Sequence, residues 1–217
     1  MKHPDWPAFL AAIVAEPDED TPRLVAADFL EENGEPDRAA FIRIQVALAN
    51  FETLELSRSP EADELREETQ TGVDELRKKE RAFLGPLSHY PLLWGAEECP
   101  ELVRMAPSSR SRTSLGLPPV EGAGRLHWRR GFVERVDCPA AEWLQHGVAV
   151  RLRNPVREVV LQACYTPARG DWYAGLDALR GLRAVWLDLF PAQRRDDEFV
   201  GWLRGWLPEA HVAASSF

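Results

Sequence analysis

Several things are scarce in this 217-residue chain, and each scarcity excludes something. Cysteine is limited to Cys99, Cys138 and Cys164. An odd number of widely spaced thiols with no CxxC pair rules out a disulfide framework and a zinc knuckle. The five histidines, His3, His89, His127, His146 and His211, stand apart. None sits in an HxxxH, HExxH or Cys/His spacing, so no metal site is expected. No apolar run approaches the roughly 18 residues of a membrane span. The start, MKHPDWPAFL, has no basic region followed by a long apolar stretch, so no signal peptide is expected, and the thiols point to the cytoplasm. No GxGxxG, GxxxxGK[ST] or GxSxG motif occurs. Gly122-Ala123-Gly124 is not a phosphate cradle, and the loop serines Ser108, Ser109, Ser111 and Ser114 sit on no nucleophile elbow. No catalytic residue and no cofactor is expected.

What is present is an ordinary apolar fraction, 45%, with 28% charged residues and a net charge of −9. That suffices for a core in one large domain or two small ones. The charge is unevenly spread. Residues 1–100 carry 22 acidic against 10 basic side chains, and residues 101–217 carry 13 against 16. The Ser-, Pro-, Gly- and Arg-rich stretch 106–124 shows no periodicity and reads as a loop or linker. It separates a helical module, 1–105, from a segment of alternating strand and helix signals, 125–217. The expected class is therefore α+β to α/β, a helical module followed by a short βα array with a small parallel sheet.

Trp6, Phe9, Leu10 and Ile13 share one helix face behind a potential cap at Asp5. Pro17 and the acidic run Asp18-Glu19-Asp20 end that helix. Thr21-Pro22 opens the next, with Leu24, Val25 and Phe29 as its expected apolar side, and Asn33-Gly34 closes it. Pro36-Asp37 starts a third helix striped by Phe41, Ile44 and Leu48. A charged helix follows over about 60–84, with Leu65, Val73, Leu76 and Phe83 inward, and Gly85-Pro86 breaks it. Residues 87–105 suggest a short helix with Leu92, Leu93 and Trp94 inward. Asp28, at the edge of a core, calls for a cation, from Arg43 or Arg23.

The run from Asp20-Thr21-Pro22-Arg23-Leu24 through Asp28-Phe29-Leu30-Glu31-Glu32-Asn33-Gly34 to Phe41-Ile42-Arg43-Ile44-Gln45 resembles the planctomycete repeat-companion domain. That short helical module recurs beside leucine-rich-repeat-like segments. The likeness covers about residues 5–50, with Phe29 where the family usually has Trp and Ala40 where it often has Glu. It implies association with a repeat scaffold and implies no reaction.

The C-terminal half carries a matching signal of its own. Val133-x-x-Val136-x-Cys138, Val156-x-x-Val159-x-Leu161 and Leu182-x-x-Val185-x-Leu187 have leucine-rich-repeat strand spacing, and Ala210-x-Val212-x-Ala214 is a weaker copy. Their central valines are 23, 26 and 27 residues apart, within the roughly 20–29 residue period of such repeats. The intervening helices carry Ala141, Leu144 and Val148, then Leu176 and Leu179, then Phe199, Trp202, Leu203 and Trp206. An ordinary α/β domain of three or four βα units is the alternative.

Two surfaces are expected to recognise partners. The insertion Tyr165–Tyr173, read as a loop, offers Tyr165, Arg169, Trp172 and Tyr173. The helix after it offers Trp202 and Trp206 one turn apart, either as an anchor for a partner or as a helix face packed into the core. Aromatic residues on a rigid platform are common protein-binding anchors. The rival surface is basic. Arg104, Arg110, Arg112, Arg125, Arg129 and Arg130, interleaved with Trp128 and followed by Arg135, could contact phosphates and stack on bases, or else cover the acidic helices. The expectation is a non-catalytic protein-interaction or scaffold module, an accessory subunit of a larger complex. The alternative is nucleic-acid or ribonucleoprotein binding through 104–135. Asp18–Asp20 and Asp196–Glu198 read as caps and solvated acids rather than a cation site.

Overall fold

The computed structural model describes residues 3–56, 60–84, 94, 99–105, 125–164, 167–189 and 197–214, without the side chains of 53–69, 103, 104 and 197. The chain divides into two compact units. One is Met1–Trp94 with Trp128–Phe132, and the other is Gly95–His127 with Val133–Phe217. The expected boundary at 106–124 lies outside the described residues. Two assignments differ from the expectation: residues 95–105 group with the second unit, and five residues from beyond the linker complete the first.

The first unit is built from α1 (Trp6–Ala15), α2 (Thr21–Glu32), α3 (Pro36–Leu56) and α4 (Pro60–Leu84). Trp6, Leu10 and Ile13 are buried on α1, as their spacing requires, and Phe9 packs half-buried against them. On α2 the buried stripe is Arg23, Ala26, Ala27 and Leu30. This corrects the expected face, since Leu24 and Val25 are 39% and 48% exposed. The i, i+3, i+4, i+7 rule selects the alanines, whose small size lets α2 lie close to its neighbours. Asp5 and Asp20 precede their helices without a side-chain capping bond. Gly34, at φ +84°, ends α2 in the left-handed region, and the Glu35 amide donates back to Leu30.

Phe41, Ile42, Gln45, Val46, Leu48 and Ala49 are buried on α3, while Ile44 is only half-buried. Phe41 gathers Phe83, Trp94 and Trp128 around it at 5.5–5.9 Å between ring centroids. Val73 is buried on α4. Gly85-Pro86 and Leu92-Leu93 lie outside the described residues.

Phe132 joins the first unit's core with Ile42 and Val46. It arrives on a hairpin, formed by β1 (Arg125–Arg129) and β2 (Phe132–Pro139), which sequence patterning did not single out. The two turn residues, Arg130 at φ 51° and Gly131 at φ 85°, have the positive angles of a tight hairpin that joins antiparallel strands. The Gly131 amide donates to the buried Gln45 Oε1 at 2.7 Å. A Cβ at Gly131 would stand 2.4–2.9 Å from Ile42. Glycine is therefore required twice over, by angle and by space.

The second unit contains α5 (Pro100–Met105), α6 (Ala140–Arg151), β3 (Glu158–Gln162), α7 (Arg169–Leu179), β4 (Ala184–Leu187), α8 (Asp197–Trp206) and β5 (His211–Ala214). The sheet runs in the order β1-β2-β3-β4-β5. From β2 onward every pairing is parallel, and Val136, Val159, Val185 and Val212 stand side by side across four strands. Steps of one hand in one direction place α6, α7 and α8 on the same face of the sheet. That face buries Val136, Cys138, Val159, Leu161, Val185, Leu187 and Val212.

The helices bind one another as well as the sheet. On α6 the buried side is Trp143, Leu144, Gly147 and Val150. The expected Ala141 and Val148 are exposed instead. The Trp143 indole and the Arg151 guanidinium donate to carbonyls at the end of α7, including those of Ala178 and Arg180. These carbonyls lack partners within their own helix. Gly147 and Gly175 allow the close approach: a Cβ at Gly175 would meet Leu144 atoms at 2.6–3.0 Å.

Candidate interaction surfaces

The residues from Arg169 to Tyr173 form the first turns of α7 rather than a loop. The Asp171 carboxylate accepts the Ala168 amide at 2.8 Å and fixes the helix start. Helical periodicity then splits the expected interaction residues. Trp172 turns inward and is 2% exposed, with its ring edge-on to Phe199 at 5.0 Å. It is a core residue, which removes it as an exposed contact. Tyr173, the next residue, is 52% exposed. Tyr165 lies outside the described residues.

On α8, Phe199, Trp202 and Trp206 line one side at i, i+3 and i+7. Trp202 is half-buried and Trp206 is 45% exposed. Tyr173 stands edge-on to both, at 5.2 Å and 82° to Trp202 and 6.1 Å and 87° to Trp206. Trp202 stacks on Phe199 at 5.7 Å. Two hollows flank this ladder. One, of about 80 Å³, is lined by Arg169, Trp172, Tyr173, Glu198, Phe199 and Trp202. The other, of about 260 Å³, is lined by Trp206, Leu207, Pro208, Arg180, Gly181 and Glu209.

The sheet face opposite the buried valines carries a second, mixed polar and apolar set of side chains that motif searching missed. Its positions are the unspecified ones between the repeat apolars. Register aligns Arg135, Glu158, Ala184 and His211 in one row, and Asp137, Val160, Trp186 and Ala213 in the next. Asp137 accepts from Arg135 Nε at 3.0 Å and meets His127 Nε2 at 3.0 Å. Burial pushes its carboxyl up, but the bonds from His127 and Arg135, with their charges, outweigh that and hold it below the usual range. Trp186 lies 4.9 Å from the His211 ring. Among the described residues no hydroxyl or thiol is hydrogen-bonded to His127.

The thiols are equally withdrawn. Burial, then the bond to Glu101, pushes Cys99 up to about 11, and burial pushes Cys164 to about 12. Burial also raises Cys138 well above its ordinary value. A protonated, enclosed thiol is a poor nucleophile. Among the described residues no three His, Cys, Asp or Glu side chains converge as metal ligands, and no helix is long and apolar enough to cross a membrane.

Two arginines of the basic segment make contacts within the first unit. Arg130 donates to the Pro17 and Asp18 carbonyls at 3.3 and 3.0 Å and lies 3.6 Å from Asp20. Arg129 pairs with Glu52 at 3.2 Å, and Trp128 packs on Phe41. Arg129 and Arg130 thus contact the acidic helical unit, and Trp128 belongs to its aromatic cluster. Arg125 is exposed. Arg110, Arg112 and the Arg104 side chain lie outside the described residues. Asp28 finds Arg43 at 2.7 Å, and Glu31 joins the pair at 2.6 Å. Arg23 is used differently, buried with bonds to the Glu19 and Pro17 carbonyls.

No family model, no curated protein and no solved structure matches this chain.

Proposed function

We propose that this chain is a non-catalytic protein-interaction module: a helical unit followed by a degenerate leucine-rich-repeat-like βα array, acting as an accessory subunit of a larger complex. The in-register valine ladder supports the repeat reading, because each short strand can bury its apolar side only by stacking on the next. The likeness of residues 20–45 to the repeat-companion domain points the same way. The observation that carries the interaction reading is the aromatic edge of Tyr173, Trp202 and Trp206. Large, rigid, half-exposed rings on a stacked scaffold make the anchors of protein interfaces. The internal engagement of Arg129, Arg130 and Trp128 favours this over nucleic-acid binding.

Affinity capture from a lysate of the source organism tests the reading. The wild type is expected to retain a stoichiometric protein partner, resistant to nuclease, that a Tyr173→Ala/Trp206→Ala variant loses. Equal retention by the two forms, or recovery of nucleic acid alone, contradicts it.

A further inference from the structure

We infer that Arg204 guards the open edge of the βα array: it occupies the outward carbonyl of the last strand and so keeps β5 from pairing with β5 of a second copy of this chain.

The sheet order ends at β5, and among the described residues β5 pairs with β4 alone. In a parallel pair the N–H and C=O of one residue point to the same side, and the side alternates along the strand. His211 donates to the Arg183 carbonyl at 2.9 Å, so His211 and Ala213 face β4. Val212 and Ala214 therefore turn their backbone groups away from the sheet. Such a row is a template for another strand. The side chains of β5 do little to deter one. The strand has no proline and no lysine, and it ends in Ala213-Ala214. The opposite edge differs, because β1 carries exposed Arg125 and half-buried His127 within the strand itself. At β5 a cation has to come from elsewhere.

It comes from α8. Arg204 Nε donates to the Val212 carbonyl at 2.9 Å. To reach an outward carbonyl the side chain must leave the helix face of the sheet and turn round its edge, into the lane that a further strand would fill. Arg204 is exposed and makes no ion pair among the described residues, so this carbonyl is its fastening. Arg151 provides the contrast. From α6 it reaches forward to the Asp177 and Ala178 carbonyls near the end of α7. No helix follows α8 among the described residues, and Arg204 turns onto its own strand instead.

Charge acts in the same direction. A second copy is the strand to be excluded, because every molecule presents the same unpaired row to every other. Two β5 edges meeting about a two-fold axis bring the same four residues together, and two arginines with them. Their repulsion adds to the loss of one acceptor on each copy.

Sedimentation equilibrium of the full chain, with residue-level amide exchange, tests this. Arg204→Met keeps the stem of the side chain and removes its donors and charge, and Arg204→Ala removes the stem as well. A folded variant of either kind should self-associate at least about tenfold more tightly than wild type, since pairing engages a freed carbonyl on each copy. As the variant is concentrated, the Val212 and Ala214 amides should gain protection from exchange, while those of His211 and Ala213 are protected throughout. Arg204→Lys, which keeps a donor and the charge, should stay within about threefold of wild type. Adding Ala214→Pro to Arg204→Met removes an outward N–H at an exposed edge position and should restore wild-type behaviour. Arg169→Ala, which removes a charge from α7, should change nothing. The inference is overturned if both Arg204→Met and Arg204→Ala associate no more than wild type, or if Arg204→Lys or Arg169→Ala associates as tightly as they do. It is equally overturned if Ala214→Pro fails to reverse the association, or if protection arises away from Val212 and Ala214. Loss of the fold in both variants would also overturn it, by making Arg204 a structural fastening rather than a guard.

Discussion

The two units differ in how many of their aromatic side chains they leave at the surface. In the first, charged and aromatic residues turn on the protein itself. Arg23 and Arg130 bind the carbonyls of the α1–α2 turn, and Arg43 ties Asp28 and Glu31. Gln45 holds the hairpin tip, and three rings close around Phe41. In the second, Trp143, Trp172, Arg151 and Asp137 are fastened internally as well, but other rings are left at least partly outward: Tyr173, Trp202 and Trp206 along the helices, Trp186 and His211 on the sheet. A long, distinctive motif can thus be a description of a fold's internal fastenings. The surface that recognises a partner need carry no motif at all.

The largest effect expected from this contrast is at the hairpin tip. Phe132→Ala should destabilise the first unit by about 3–5 kcal/mol, as removal of a core aromatic does, read as a shift in the urea midpoint. A loss below 1 kcal/mol would mean that the tip does not belong to that core. Next is Gly175→Val in the second unit. Its new side chain would meet Leu144 backbone and Cβ atoms that cannot rotate away. A cost of at least about 2 kcal/mol is expected by thermal melting, and a neutral result would show that α6 and α7 are not in close contact.

A smaller effect distinguishes the sheet face. Because the folded Asp137 carboxyl lies below its ordinary value, its contribution is present above the unfolded value of about 3.9 and lost as pH falls through the folded one. Asp137→Asn should lower stability at neutral pH and flatten the acid limb of the stability–pH curve, so that variant and wild type converge at low pH. An unaltered acid limb would dissociate Asp137 from His127 and Arg135. Smallest is Arg43→Ala. Its ion pairs are substantially exposed, so the loss should be no more than about 1 kcal/mol and should shrink further in high salt.

Where sequence was legible, one short-range rule dominated. The strands around Val136, Val159, Val185 and Val212 could be placed because apolar spacing survives in parallel register. Gly34 and the Asp28–Arg43 pair could be placed because a helix end and a lone carboxylate have few solutions. The failures were of geometry over longer range. Leu24 and Val25 looked inward by hydrophobicity, yet the alanines of α2 pack there. Tyr165–Tyr173 looked like a loop because its Gly and aromatics disguised a helix start at Arg169. The hairpin went unread because Arg130 holds a left-handed turn position that Asn, Asp or Gly usually fills, so only Gly131 signalled a turn. Its partner in the core, Ile42, lies nearly ninety residues away. The aromatic edge was named from sequence, but only the fold could separate buried Trp172 from exposed Tyr173.

The most direct test of the central contrast is partner capture measured side by side for Tyr173→Ala/Trp206→Ala and for Asp28→Ala/Arg43→Ala, with each variant confirmed as folded. The account expects capture to vanish in the first and persist in the second. Persistence in the first with loss in the second would place recognition in the helical unit and contradict it.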